Sequence, residues 1–334
     1  MIIFNPQQLV AIKLMQNDLR FLYTVVMNHK NIHSNYIVSA MPYIGVIIDG
    51  VEDWVKVYNN SHKIKINIPT FTDEEKVFYE ELRSSIKIWN STYDEVYKRL
   101  EKLYRESDDY FSSVCKPVAK ILELYDIFGV DIVDGQYCGN TILGSFFVPG
   151  ILFGDPNGEH RKQMFAIGGR YTSLFGVIEP YEIKRSMRFS YADYGGFVKS
   201  PVGNAFSDKF VLFSILCQVN FILKCVDEYL SDETTTKLRF AYLLYYYVIK
   251  LLPEINERLL TNFYMNGKWV CDPFRNAMAH YKIGVALKES EIIFDDPFYG
   301  LTQKFFGCDY VTVKNAIIGN LLALSYQLRT FLRI

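Results

Sequence analysis

The spacing of apolar residues in the C-terminal part of the chain limits its fold more than any other feature. From residue 207 onward apolar side chains recur at helical intervals almost to the end. In one segment Phe240, Leu244, Tyr247, Leu251, Ile255 and Leu259 form a continuous stripe. Such stripes need other helices to cover them. The sequence therefore predicts helices over 207–229 and 234–262, a short one starting near Asp272 and a last one over 311–333. Pro253 is expected to kink the second. Together these form an all-α bundle over residues 201–334, set off by the break Ser200-Pro201-Val202-Gly203.

At 334 residues the chain exceeds the usual domain size, so residues 1–200 are read as a second domain of mixed composition. It opens on a helix: Asn5 suits the N-cap, Pro6 the first turn, and Leu9, Ile12, Met15, Leu19, Leu22 and Val26 keep helical spacing to an end near His29. After an apolar stretch over 41–48, residues 63–68 alternate strictly and read as a half-buried strand closed by Pro69. Thr72 with Glu75 and Thr92 with Glu95 match the capping box, so 72–127 is expected to be mostly helical. The runs 151–153 and 163–167 flank Gly154-Asp155-Pro156-Asn157-Gly158, which predicts a β-hairpin. The expected fold class is α+β, with a mixed α/β-hairpin domain at 1–200 followed by the helical bundle at 201–334.

The segment that carries chemistry is Cys271-Asp272-Pro273-Phe274-Arg275-Asn276-Ala277-Met278-Ala279-His280-Tyr281. Asp272 is expected to cap a helix whose first position is Pro273, which puts Arg275 in a first turn that favours an anion. At about 100° per residue Asn276 and His280 share a face, while Arg275 reaches around from the side. Phe274 and Met278 are expected to serve as apolar anchors for a second copy of the chain.

An Arg followed by a polar residue, three more residues and a His, on a helix of an all-α bundle, resembles the signature of the HEPN superfamily. Here it occupies Arg275, Asn276 and His280. The resemblance covers about 130 residues as a helix pattern and six as a motif. It implies a metal-independent endoribonuclease of toxin or phage-defence type, with Arg275, Asn276 and His280 catalytic, RNA as substrate and no cofactor or metal. It also implies a homodimer or higher symmetric oligomer that brings two motifs face to face. An antitoxin or other regulatory protein is a further implied partner, although the Tyr that some members carry two residues after the His is Lys282 here. Asp227, Glu228 and Tyr281 are supporting candidates, the first two because some members add an acidic residue on the first bundle helix. The alternative is a HEPN-like module without activity that mediates dimerisation or partner binding.

The chemistry suits these residue types. Cleavage by the 2'-OH needs a proton acceptor, a proton donor for the leaving 5'-oxygen, and positive charge on the phosphorane-like transition state. His280 can transfer protons near neutral pH, Arg275 can hold anionic oxygens bidentately, and Asn276 can orient either the phosphate or the imidazole. One His per chain leaves one proton role vacant, which a dimer would fill.

Charge restrains the expectation. The net charge is -1, and the block from Pro201 holds fourteen Lys/Arg against thirteen Asp/Glu, so long RNA is not held by electrostatics alone. The six cysteines contain no C-x-x-C pair and read as reduced and buried. No basic leader opens the chain. The apolar runs over 210–223 and 240–249 read as core, the first broken by Gln218 and Asn220, so a cytoplasmic protein with no membrane contact is expected. Weaker candidates are His29 with His33 as a metal pair, the charged stretch 158–162 as a solvated hairpin, and Asp295-Asp296 as a turn. Gly168-Gly169 makes no phosphate loop.

Overall fold

The computed structural model describes residues 4–28, 34–68, 71–148, 159–196, 198–281 and 286–334. Helix α1 (Pro6–Met27) starts at Asn5, whose side chain accepts from the Gln8 N–H while the Gln8 side chain accepts from the Asn5 N–H. Helix α2 (Ser34–Ser61) takes in the apolar run over 41–48. Helices α3 (Asp73–Ser85) and α4 (Tyr93–Val114) begin at Thr72 and Thr92, and both expected capping boxes form. A short α5 (Pro117–Ile121) follows.

Residues 63–68 do not form the expected strand. Asn59, near the end of α2, donates to the Ile66 carbonyl and accepts from its N–H, so this backbone is satisfied by a side chain instead of a neighbouring strand.

The sheet is built from β1 (Asp126–Val133), β2 (Gln136–Asn140) and β3 (Phe189–Gly195), antiparallel in the order β2-β1-β3. Asp134 and Gly135, both at positive φ (47° and 77°), form the turn between β1 and β2, a pair suited to a two-residue hairpin. The hairpin thus lies upstream of the expected one. Residues 149–158 fall outside the described residues, and 163–167 belong to helix α7 (Glu159–Leu174), which follows α6 (Thr141–Phe147) in the chain. Gly168 lets α7 lie close on α1: a Cβ there would stand 2.0 Å from Leu22 Cδ2.

The C-terminal block contains α8 (Asp208–Asn220), α9 (Thr235–Leu259), α10 (Asp272–Ala279), α11 (Leu301–Phe306) and α12 (Tyr310–Leu332). Pro253 lies inside α9, and α9 stops at Leu260, which adopts the left-handed conformation. Helix α8 continues through Phe221–Glu228 in wide π turns. The span Asp208–Glu228 is long and apolar enough to cross a membrane, yet 89% of its apolar window is buried. The two polar residues that interrupt it are bonded inside: Gln218 accepts from the Trp89 indole, and Asn220 donates to the Tyr137 carbonyl at 2.9 Å and accepts from Ser325.

Side chains from both sides of residue 200 share one buried cluster. Phe240 of α9 meets Phe21 of α1 at 5.1 Å and Tyr43 of α2 at 4.4 Å between ring centroids. The molecule is therefore mostly helical with a small antiparallel sheet, an α+β fold. All six cysteines are free thiols, with Cys138, Cys217 and Cys225 buried and the others half-buried.

Candidate functional site

Helix α10 is seated by its apolar side. Phe274 is fully buried, with Tyr242 at 4.6 Å and Phe306 at 4.8 Å between centroids, and Met278 is buried beside it. These two residues lie in the chain's own core and so are not the anchors for a second copy that the sequence suggested.

Asp272 does not cap α10 either. Cys271 holds the N-cap position, and the Asp272 carboxylate instead accepts a 2.5 Å hydrogen bond from the Tyr246 hydroxyl and pairs with Lys250 at 3.5 Å. The Tyr246 hydrogen bond, and then Lys250, hold the Asp272 carboxyl below its usual range.

His280 is also not on the helix. It adopts an extended backbone (φ -139°, ψ 147°), although its N–H still donates to the Asn276 carbonyl at 3.1 Å. The reason lies one residue on. Tyr281 turns into the core, where its hydroxyl donates to Asp18 at 2.6 Å and its ring lies 4.2 Å from the Arg239 guanidinium. Continuing the helix would forfeit that contact. Burial pushes the Tyr281 hydroxyl up to about 12, with Arg239 opposing the shift. Tyr281 is thus an anchor for the chain beside His280, not a group at the site itself.

Asp18 and Arg239 form an ion pair, 1% and 4% exposed, that ties α1 to α9. Thr236 donates to Asp18 at 2.7 Å and Arg239 Nε donates to the Met278 carbonyl. Burial lowers the Arg239 pKa, but the guanidinium remains the charged partner of Asp18.

Beside this anchor, Asn276 and His280 line a cleft of about 360 Å³ with Pro273, Ala277, Ala286, Lys304 and Phe305. His280 Nδ1 faces Asp53 Oδ2 across 3.6 Å. Asp53 lies on α2 one turn after Asp49, and one atom each from Asp49, Asp53 and His280 fall within 4.8 Å of one another. Arg83 of α3 pairs with Asp49, Nε to Oδ2 at 3.0 Å.

Two glycines make this convergence possible. A Cβ on Gly45 would stand 2.5 Å from the Arg83 backbone nitrogen, so α3 closes on α2 only because Gly45 has none. A Cβ on Gly50 would stand 2.9 Å from the Tyr281 ring, which carries the His280 segment.

Arg275 takes a different direction. Its guanidinium lies 5.2 Å from the Tyr246 ring centroid, and its Nε is buried with no hydrogen bond among the described residues. Lys87, after α3, has its pKa lowered by burial and then by Arg83 and Arg275, which marks the three cations as neighbours. Of the three motif residues, Asn276 and His280 share the cleft and Arg275 joins this cationic patch beside it.

Asp227 and Glu228 have partners elsewhere. Asp227 pairs with Lys314 at 3.3 Å, and Glu228 with Lys184 and Lys224, each at 2.5 Å. The Lys184 and Lys224 hydrogen bonds hold the Glu228 carboxyl low. Asp295-Asp296 is a turn: Asp296 Oδ1 accepts from the N–H groups of Phe298 and Gly300. Residues 159–162, expected in a hairpin, are helical. His29, His33, Gly158 and Lys282 lie outside the described residues.

Asp49, Asp53, Arg83, Lys87 and Lys304 escaped the sequence reading. The one local signal was two aspartates four apart at the end of an apolar helical run. Comparison with known proteins adds no relative: no protein-family model, curated protein or solved structure matches this chain.

Proposed function

We propose that the chain is an endoribonuclease of toxin or phage-defence type that cleaves RNA by attack of its own 2'-OH, without a metal. In this reading His280 takes the 2'-OH proton, the 2'-oxygen attacks phosphorus, and the 5'-oxygen leaves to give a 2',3'-cyclic phosphate. Asp53 orients the imidazole and stabilises it once protonated. Asn276 and Lys304 contact the phosphate from the cleft, and the Arg275, Arg83 and Lys87 patch attracts the flanking backbone.

The observation that carries the reading is that His280 lines an open cleft with a carboxylate beside its Nδ1, the surroundings of a proton-transfer group. The Arg275-Asn276-x-x-x-His280 pattern supports it, as does the helical block that holds it. The remaining proton role falls to His280 of a second copy, so the active species in this reading is a homodimer or larger symmetric assembly. With Phe274 and Met278 buried, that contact has to use the exposed side of α10, where Asp272, Pro273 and Asn276 lie.

One observation favours a second reading, a HEPN-like module that binds a partner without catalysis: Arg275 packs on Tyr246 and is not among the residues lining the cleft. The experiment that separates the two is cleavage of a defined RNA by the full chain in EDTA, with the product ends analysed. Cyclic phosphate ends that vanish in His280→Ala support the nuclease. Intact RNA under all conditions supports the binding module.

A further inference from the structure

We infer that Asp49, Asp53 and His280 form a binding site for one divalent transition-metal ion. The donor atoms already converge, each within 4.8 Å of the other two, and all three residues are half-buried. Metal–ligand bonds of about 2.1 Å put neighbouring donors about 3.4 Å apart around a tetrahedral ion. The His280 Nδ1 to Asp53 Oδ2 distance of 3.6 Å is close to that value. Side-chain rotations on the order of 1 Å bring in Asp49.

The ligand chemistry names the class of ion. One imidazole with two carboxylates suits zinc, manganese, iron or cobalt and is too nitrogen-rich for a dedicated calcium or magnesium cage. Three protein ligands leave positions open to water, as in reactive zinc sites and unlike closed structural ones.

The surroundings are those of a built site. Arg83 fixes the Asp49 carboxylate through both oxygens, Nε to Oδ2 at 3.0 Å and Nη1 to Oδ1 at 3.4 Å. Orientation of ligands by an outer shell of charged partners is the usual arrangement at metal centres. Asp49 and Asp53, four apart on one helix, repel each other, and an ion between them removes that repulsion. Tyr281, locked to Asp18 and Arg239, holds the backbone next to the third ligand.

The metal claim stands on these side chains alone. Its consequence for activity rests on the ribonuclease reading: an ion on Nδ1 confines the imidazole proton to Nε2, so His280 can no longer accept a proton there. Metal binding then acts as an inhibitory control.

The test is isothermal titration calorimetry of zinc chloride into the full chain freed of metal by chelation. One equivalent is expected to bind. Asp53→Asn and His280→Gln are each expected to weaken binding at least about tenfold, with unchanged circular dichroism. Glu101→Gln, a half-buried residue on α4 paired with Arg105 and away from the cluster, is expected to match the parent chain. No binding, or equal affinity in all three variants, overturns the proposal. No RNA is present, so a failed titration leaves the ribonuclease reading standing, and inert RNA leaves the metal site standing.

Discussion

Replacing Asp18 by alanine tests what holds the candidate site in place. Asp18 is 1% exposed and is the acidic partner of Arg239, itself 4% exposed. Its removal leaves a guanidinium buried beside Tyr281 with no counter-charge among the described residues. Breaking a buried ion pair from one side costs about 3–5 kcal/mol, since the remaining charge has lost its compensation. The hydroxyls of Thr236 and Tyr281 lose their acceptor as well, a loss that overlaps the first and is not simply additive. A shift of about 3–5 kcal/mol is a large part of the 5–15 kcal/mol that stabilises a typical domain. Urea denaturation followed by circular dichroism reads it as a lower midpoint. Asp18→Leu combined with Arg239→Met, which removes both charges, is expected to be milder than Asp18→Ala. A cost below about 1 kcal/mol for Asp18→Ala, or a double variant worse than the single, refutes the argument that this pair anchors the His280 segment.

Gly45→Ala is expected to cost about 1–3 kcal/mol, because its Cβ would meet the Arg83 backbone at 2.5 Å and backbone cannot rotate away. Gly169→Ala in α7, with nothing within 4 Å, is the matched control and is expected to be neutral or slightly stabilising; thermal melts compare the two. If RNA is cut by a symmetric dimer that needs His280 from both chains, adding excess His280→Ala chain to a fixed amount of parent chain is expected to lower cleavage as mixed dimers form. Cleavage that is unchanged by the added variant points to sites contained within one chain.

The parts of the fold legible in the sequence are those decided locally. Asn5 with Gln8, Thr72 with Glu75 and Thr92 with Glu95 start three helices by capping geometry that needs no tertiary partner. The long helices of the C-terminal block were equally readable from their spacing. Elsewhere a second local signal outweighed the first. Residues 63–68 alternate like a strand but bond to Asn59. The turn-rich 154–158 segment outweighed the quieter Asp134-Gly135 pair that closes the real hairpin.

At the site, Asn276 and His280 were legible as neighbours, expected on one helical face, and the structure has both lining one cleft. The extended backbone at His280 was not, because Asp18, some 260 residues away, captures Tyr281. Asp53 and Arg83 were invisible for a similar reason. They reach the site only through packing of α2 on α3 and on the His280 segment, which depends on Gly45 and Gly50 lacking side chains.

The measurement that bears most directly on the central claim is single-turnover cleavage of a labelled RNA in EDTA by the parent chain, His280→Ala and Asp53→Asn. Cyclic phosphate products are expected from the parent chain and none from His280→Ala. For Asp53→Asn the expected rate is lower by roughly a hundredfold, within the span attributed to positioned proton transfer. All three proteins are expected to melt within a few degrees of one another. Cleavage that survives in His280→Ala, or that appears only when divalent metal is added back, contradicts that claim.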